Sequence, residues 1–376
     1  MKKILITGGA GFIGSNLVLS LKDSHEIYVL DNLDPQIHGE NIEESYTYKS
    51  IKNNCTFIHG DVCVKKDWIK ALDFGIDIII HLAAQTGTGQ SMYEATNYTN
   101  SNCIGTTILG DLLQQYDSIE KIILASSRSI YGEGKYLDSS GNAVYPNSRN
   151  PLDVDNGIYE CLDEKTRTPL ILQPTDEDSK IKPISTYALT KFFQENYLEN
   201  VCKVKKISFF GFRFQNVYGP GQSLKNPYTG IISIFSQRIR KGQDIFIFED
   251  GKESRDFVYI LDVVSALKSA IDYNLLTSQI LNVGFGKPTS VFEVALSLQN
   301  LIGVECRLIK NGEYRIGDIR HNFADITKIT NILGFQPQFD LNTGLSNFVN
   351  WLNTQGEEPD LYLNSLKELK QKGLLK

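Results

Sequence analysis

Tyr187 and Lys191 stand four residues apart in "TYALTK", a spacing that puts both side chains on one face of a helix. A tyrosine with an ordinary pKa near 10 is a poor base at neutral pH, and lowering it by about three units takes roughly 4 kcal/mol in favour of the phenolate. One ammonium about 4 Å away supplies roughly that at an effective dielectric near 20. The pair therefore reads as a phenol base with its own cation. The same spacing arises by chance on ordinary amphipathic helices, so it gains weight only from its company. That company is "LASSRSIYGEG" at 124–134, where an apolar run ends in Ser126, Ser127, Arg128 and Ser129. These hydroxyls either satisfy backbone groups at a strand end or take part in chemistry.

A Gly-rich turn offers a second kind of chemistry. In "TGGAGFIG" at 7–14, Gly8, Gly11 and Gly14 lie between an apolar run and a helical pattern. Gly8 allows a sharp turn, Gly11 lets backbone amides approach a pyrophosphate, and Gly14 lets the helix sit close to the sheet. The helix start then presents free N–H groups and a positive dipole end to the phosphates. Asp31 closes the second apolar run, where a carboxylate accepts hydrogen bonds from both ribose hydroxyls. No arginine stands beside it in "LDNLDP" to neutralise a 2′-phosphate. The expected cofactor is NAD rather than NADP.

Apolar runs at 4–7, 27–30, 56–59, 78–82 and 122–125 read as strands buried on both faces, with helical patterns such as 12–21 and 103–113 between them. Strand and helix in alternation imply an α/β fold, a doubly wound parallel (Rossmann) sheet. At 376 residues the chain exceeds one ordinary core, so a second, smaller mixed α/β lobe is expected. The division is a Rossmann domain over 1–215 and a substrate lobe over 216–376, partly interleaved with the first. A polar, turn-rich insert at about 135–182 reads equally as a surface insertion or a binding loop. The ending, "LYLNSLKELKQKGLLK", reads as a packed amphipathic helix with a basic tail.

Composition excludes several classes. A net charge of -6 argues against a nucleic-acid partner, which would want a basic face. No apolar run is long enough to span a membrane, and the first strand begins too soon after Met1 to leave room for a signal peptide. Six scattered cysteines without a CxxC pair predict neither a metal site nor disulfides, but reduced thiols in a cytoplasm. His81 ends a buried strand and is expected to be a satisfied core histidine.

Together the motifs resemble the extended short-chain dehydrogenase/reductases of the NAD-dependent epimerase/dehydratase family. They are "TGGAGFIG", "DNL", "GDV" at 60–62, "HLAA" at 81–84, "NCIGT" at 102–106, "SSRSIYG", "YALTK", "RFQNVYGP" at 213–220, "RDFVYILDV" at 255–263 and "RIGDIRH" at 315–321. The resemblance implies that Tyr187 is the base, that Lys191 holds it and the nicotinamide ribose, and that Ser127 binds the reacting sugar hydroxyl. On the NAD side it implies Gly8, Gly11, Phe12, Ile13, Gly14, Asp31 and Asn32, with Asp61 and Val62 flanking the adenine and Leu82, Ala83, Ala84 and Asn102 beside them. On the nucleotide-sugar side, Arg255 and Arg315 would clamp the diphosphate, as bidentate guanidiniums do well. Asn216, Asp318, Gln90, Ser91, Arg128 and Ser129 complete that side. The resemblance further implies a homodimer built on helices near 103–113 and 187–201.

Within such a family the chemistry turns on the two residues after the hydroxyl residue. Sugar 4,6-dehydratases carry Asp-Glu there, since elimination needs a proton donor and a proton acceptor. Here the two positions are Arg128 and Ser129, and an arginine is effectively never deprotonated. What remains is Ser-Tyr-Lys with NAD, enough for reversible hydride transfer at one carbinol. "GTGQSMYE" at 87–94, "NPYTG" at 226–230 and "FEDGKESRDF" at 248–257 resemble the dTDP-L-rhamnose 4-epimerase group more than UDP-galactose 4-epimerases. The expected substrate is therefore a dTDP- or UDP-linked sugar. Two departures stand out: relatives often carry methionine at Arg128, and a cysteine pair in the insert, where this chain keeps only Cys161. A UDP-hexose 4-epimerase, a 4-ketoreductase, a 4,6-dehydratase and a non-catalytic NAD-binding protein remain as alternatives. Arg128 points to the sugar, to the insert, or into a structural salt bridge.

Overall fold

The computed structural model describes residues 1–226, 228, 230–356, 358 and 360–376. Seven parallel strands form its central sheet: β1 Lys3–Thr7, β2 Glu26–Asp31, β3 Thr56–His59, β4 Ile78–His81, β5 Lys121–Ser127, β6 Ser208–Phe214 and β7 Ser278–Val283. Their order is β7-β6-β5-β4-β1-β2-β3. The sequence is rich in Ile, Val and Phe here because covered parallel strands bury both faces. β5 and β6 are buried at every residue. The expectation of two-sided burial fails for β3, where only Ile58 is buried. β3 pairs with β2 alone at the sheet edge, so its pattern reflects position rather than propensity.

Two helices matter for the site. Helix α1 (Phe12–Leu21) follows the Gly-rich turn, and α2 (Thr186–Lys205) is capped by the Ser185 hydroxyl, which accepts from the Ala188 N–H. The helix expected at 103–113 is the end of a longer helical run. It begins at Ala95, widens into a π-turn over Thr99–Ile104, and continues as Gly105–Leu112.

The chain does not divide cleanly at residue 216. Strand β7 lies beyond it yet completes the main sheet against β6. One continuous core also runs from Ile4 and Val29 through Phe235 and Ile247 to Leu298 and Phe348. The insert is ordered by a small antiparallel sheet, in which Tyr136–Leu137 pairs with Ala143–Val144 and Ile171–Leu172. The C-terminal helix α3 (Tyr362–Gln371) buries Tyr362, Leu366 and Leu369 with Leu375 against Tyr93, Ile234 and Phe248. Among the described residues, no helix is long and apolar enough to cross a membrane.

His81 is 1% exposed at the end of β4, with Nδ1 2.8 Å from the Thr7 hydroxyl and Nε2 3.1 Å from that of Thr106. Burial pushes its pKa from 6.5 down to about 3, so it stays neutral. The unfolded chain takes up a proton at about pH 6.5 that the folded chain refuses until about pH 3, so acid costs stability across that window. His81→Gln retains partners for both threonines and removes this component. Its melting temperature is expected to fall less steeply than that of the wild type between those pH values.

Candidate active site

At the C-terminal ends of β1, β2, β4 and β5 opens a cavity of about 640 Å³, where ligands enter parallel α/β sheets. Gly8 holds the turn after β1 at φ +66°, and a Cβ there would lie 2.7 Å from the Ala83 nitrogen. At Gly14 a Cβ would lie 2.5 Å from the Gly9 Cα, so α1 starts closer to the turn than a side chain allows. The resulting cradle presents the α1 N-terminus beside Gly11, Phe12 and Ile13, which line the cavity. Asp31 fixes the turn from β2: its Oδ2 accepts the Ala10 N–H at 2.9 Å and its Oδ1 the Leu33 N–H at 2.8 Å. Burial pushes the Asp31 carboxyl up, opposed by these amides and by His38, whose Nε2 lies 3.9 Å away. Asn32 donates to Asp61 at 3.0 Å, and both line the cavity with Val62, Leu82, Ala83 and Ala84. A backbone cradle at the α1 N-terminus and an adjacent carboxylate at the cavity wall fit the phosphates and a ribose of NAD.

Ser127, the last residue of β5, accepts the Ser129 N–H at 3.2 Å through its hydroxyl. Tyr187 and Lys191 project from α2 towards it. The Lys191 ammonium donates to the Ala125 carbonyl at 2.9 Å and stands 6.0 Å from the centre of the Tyr187 ring. Burial lowers the Lys191 pKa to about 7. Burial also raises the Tyr187 phenol, opposed by a hydrogen bond with Ser127 and by the Arg128 charge. The expected effect of a lysine pulling the phenol down is therefore not what the chain alone does. The site is dry enough that desolvation outweighs nearby charges.

On the other side of the cavity, short parallel strands Asn216–Tyr218 and Phe257–Tyr259 pair and carry Asn216 to its wall. Arg255 spends its terminal nitrogens inward: Nη1 on the carbonyls of Ser254 and Arg320, Nη2 on Asp318 Oδ1 at 2.9 Å and the Ile319 carbonyl. Burial tends to raise Asp318, but Arg255 above all, then Arg315, Arg128 and Arg149, hold it below the usual carboxylate range. The Arg315 guanidinium lies 5.0 Å over the Phe248 ring, and its Nε is buried without a partner.

Three expected residues sit elsewhere. Asn102 is fully buried behind the wall; it accepts the Gln85 N–H at 2.8 Å and donates to Thr190 at 2.9 Å. Gln90 pairs amide to amide with Gln36, and the Ser91 hydroxyl donates to the Thr88 carbonyl. None of the three lines the cavity; Gln85, Thr86, Gly87 and Thr88 do. The segment "NPYTG" reaches the wall through Asn226, Tyr228 and Gly230, while its Pro227 and Thr229 lie outside the described residues. Sequence reasoning also missed Glu253, which burial pushes up to about 7, and Tyr362 of α3. Glu253 stands two residues before Arg255, a nearness that gave some signal. Tyr362 had none, being brought in from the far end of the chain.

A family model described as "NAD dependent epimerase/dehydratase family" matches residues 4–152 and 163–284. A dTDP-L-rhamnose 4-epimerase of Burkholderia thailandensis is 36% identical over 93% of this chain and 95% of its own. A putative UDP-glucose 4-epimerase of Methanocaldococcus jannaschii is 31% identical over 93% of this chain and 98% of its own. Among solved structures, the UDP-glucose 4-epimerase of Thermotoga maritima with UDP-glucose superposes with a TM-score of 0.75 at 28% identity, covering 93% of this chain and 98% of that one. MoeE5 in complex with UDP-glucuronic acid and NAD gives a TM-score of 0.73 at 27% identity, covering 93% and 99%.

The Gly8 and Asp31 geometry predicts the bound cofactor. Denatured wild-type protein is expected to release NAD or NADH and not the 2′-phosphorylated forms. Gly8→Ala, which drives a methyl group into the Ala83 backbone, is expected to release about a tenth as much or less. Chromatography of the released nucleotides reads both outcomes.

Proposed function

Because this chain belongs to the NAD-dependent epimerase/dehydratase family, we propose that it epimerises carbon 4 of a nucleotide-linked 6-deoxyhexose, turning dTDP-L-rhamnose into dTDP-6-deoxy-L-talose. The observation that carries this reading is the grouping of Ser127, Tyr187 and Lys191 around one point of the cavity wall, with Arg128 and Ser129 where an eliminating enzyme keeps two carboxylates. Proton transfer at one carbinol is supported; acid–base removal of water is not. The Burkholderia relative supports the choice of sugar. The UDP-glucose 4-epimerase relatives favour a UDP-hexose as the second reading.

Each residue has a definable task. Tyr187, as the phenolate, takes the proton of the carbon-4 hydroxyl and, as the phenol, later returns it. Ser127 orients that hydroxyl from the β5 end, its own position fixed by the Ser129 N–H. The Gly8–Gly14 cradle and Asp31 would hold NAD, which would supply the hydride acceptor and donor and a positive ring favouring the phenolate that burial alone disfavours. Lys191, anchored on the Ala125 carbonyl, would in its protonated form stabilise that phenolate and hold the nicotinamide ribose. Substrate oxidation and reduction balance within one visit, so no reduced cofactor is consumed.

The proposal extends to assembly and place. Leu189 at 55%, Val204 at 79% and Ile104 at 47% exposure form an apolar face with Phe193 and Tyr197, whose rings stack at 5.6 Å. A second copy of the chain is the occupant that the resemblance implies, making a homodimer on α2 and the neighbouring 105–112 helix. The six cysteines are all unpaired, in keeping with a cytoplasmic enzyme.

Mixed with dTDP-L-rhamnose and no added cofactor, the protein is expected to build a second set of anomeric proton signals to a fixed ratio, reached equally from the talose side. Tyr187→Phe is expected to lose at least about a thousandfold in turnover while keeping NAD, as general acid–base groups contribute on that scale. Conversion of UDP-glucose alone would select the second reading, and a requirement for added NADH or NADPH would overturn the epimerase. Separately, sedimentation is expected to give twice the chain mass, and Phe193→Glu with Val204→Glu to give the single-chain mass.

A further inference from the structure

Most of the deeply placed arginines of this protein have found a carboxylate. Arg149 binds Glu249 at 2.7 Å, Arg213 binds Glu195 at 2.9 Å, and Arg255 binds Asp318 at 2.9 Å. Arg320 sits among Glu160, Glu249 and Asp250. Arg128 has not found one. It lines the cavity between Ser127 and Ser129, and among the described residues its guanidinium has neither an ion pair nor a hydrogen bond to the protein. The next side chain along, Ser129, has its hydroxyl oxygen buried and equally without a partner. Burial, then the like charge of Arg255, press the Arg128 pKa down to about 10. A guanidinium held this way lacks an anion on its open side.

Charge identifies that anion. Arg128, Arg255 and Arg315 all act on one carboxylate, Asp318, and among the described residues Arg315 too has no acceptor for its guanidinium. Asp318 and Glu253, the latter pushed up to about 7 by burial, are the carboxyls that line this part of the wall with the three guanidiniums, and the excess of positive charge suits a nucleoside diphosphate ester. Arg255 is poorly placed to take the ligand with its terminal nitrogens, because both are turned to Asp318 and the carbonyls of Ser254, Ile319 and Arg320. Arg128 also interacts with Tyr187, the group that meets carbon 4. An anion gripped there lies on the sugar side of the diphosphate.

We propose that Arg128, with the Ser129 hydroxyl, binds the sugar-proximal phosphoryl group of the substrate. The proposal rests on the nucleotide-sugar reading and names the residue that seats that substrate. A binding determinant thus occupies the position where eliminating relatives keep an acid.

Calorimetry on the NAD-loaded protein separates this proposal from the choice of sugar, since it needs no turnover. The probes are dTDP, UDP, dTMP, UMP, UDP-glucose and UDP-glucuronate, compared between wild type, Arg128→Met and Arg128→Lys. Arg128→Met is expected to weaken the diphosphates by at least about tenfold and the monophosphates, which lack that phosphoryl group, by less than about threefold. Arg128→Lys, which keeps the charge without the planar fork, is expected to fall between. Equal losses for mono- and diphosphates, unchanged diphosphate affinity, or no diphosphate binding by the wild type would each overturn the assignment. So would a loss confined to UDP-glucuronate against UDP-glucose, which would place Arg128 on a sugar carboxylate instead. Melting curves for both variants, with retained NAD, exclude misfolding as the cause. If the diphosphates behave as expected and dTDP-L-rhamnose is not turned over, the sugar reading fails and Arg128 keeps its role.

Discussion

The active site depends on how one helix is fastened to the end of one strand. Along the buried face of α2 stand Thr190, Lys191, Gln194 and Glu195, and each is hydrogen-bonded to a different neighbour. Thr190 receives Asn102, Lys191 donates to Ala125, Gln194 donates to Thr106, and Glu195 accepts from Ser126 and Arg213. Each bond has modest net value, but breaking one would strand a partner in a dry interior at a cost of about 1–3 kcal/mol. The set therefore fixes rotation and register of α2 more sharply than apolar packing would. Tyr187, at the start of that helix, meets Ser127 because the turns behind it are pinned.

A second set of buried charges ties the insert to the segments that carry Glu249 and Arg320. Arg149 reaches the Tyr159 carbonyl, Glu249 and the Asp318 carbonyl, while Glu160 accepts from Arg320. Arg320 is fully buried, and its backbone N–H donates to Glu133 at 2.8 Å. Burial lifts the Glu133 pKa to about 7. Such networks contribute little net stability compared with an apolar core of similar shape, yet removing one member is costly. Their effect here is geometric. The loop carrying Asp318 is held from the insert by Arg149 and from the strand before Phe257 by Arg255, so the acidic group in the arginine cluster has little freedom to move.

The same logic explains the closing of the cavity by the chain's last residues. Tyr314 and Lys376 exchange backbone hydrogen bonds at 2.9 and 3.0 Å, and the Ile316 N–H donates to the Leu374 carbonyl. Arg315 lies within that pairing, so its side chain is directed over Phe248 towards the cavity. Helix α3 brings Tyr362 beside Arg238, whose guanidinium is 5.6 Å from the ring. A packed terminal helix was expected from its amphipathic pattern; its presence at the cavity wall was not.

Local signals determined much of this protein. The turn at 7–14 needs glycine where a Cβ would strike backbone, the Ile- and Val-rich runs need a covered parallel sheet, and Asp31 ends β2 where ribose would sit. Each is a demand made by neighbours in sequence, so it is readable without a fold. Four-residue spacing likewise set Tyr187 and Lys191 on one face. Tertiary structure decided what sequence distance conceals. It put Asn102, Gln90 and Ser91 behind the wall, brought Tyr362 to it, and showed β3 to be an edge. It turned the terminal nitrogens of Arg255 towards Asp318 and left Arg128 without a partner among the described residues. The reason is that partnership of a buried charge depends on which distant acceptors the fold delivers, and residue type alone carries no record of that delivery.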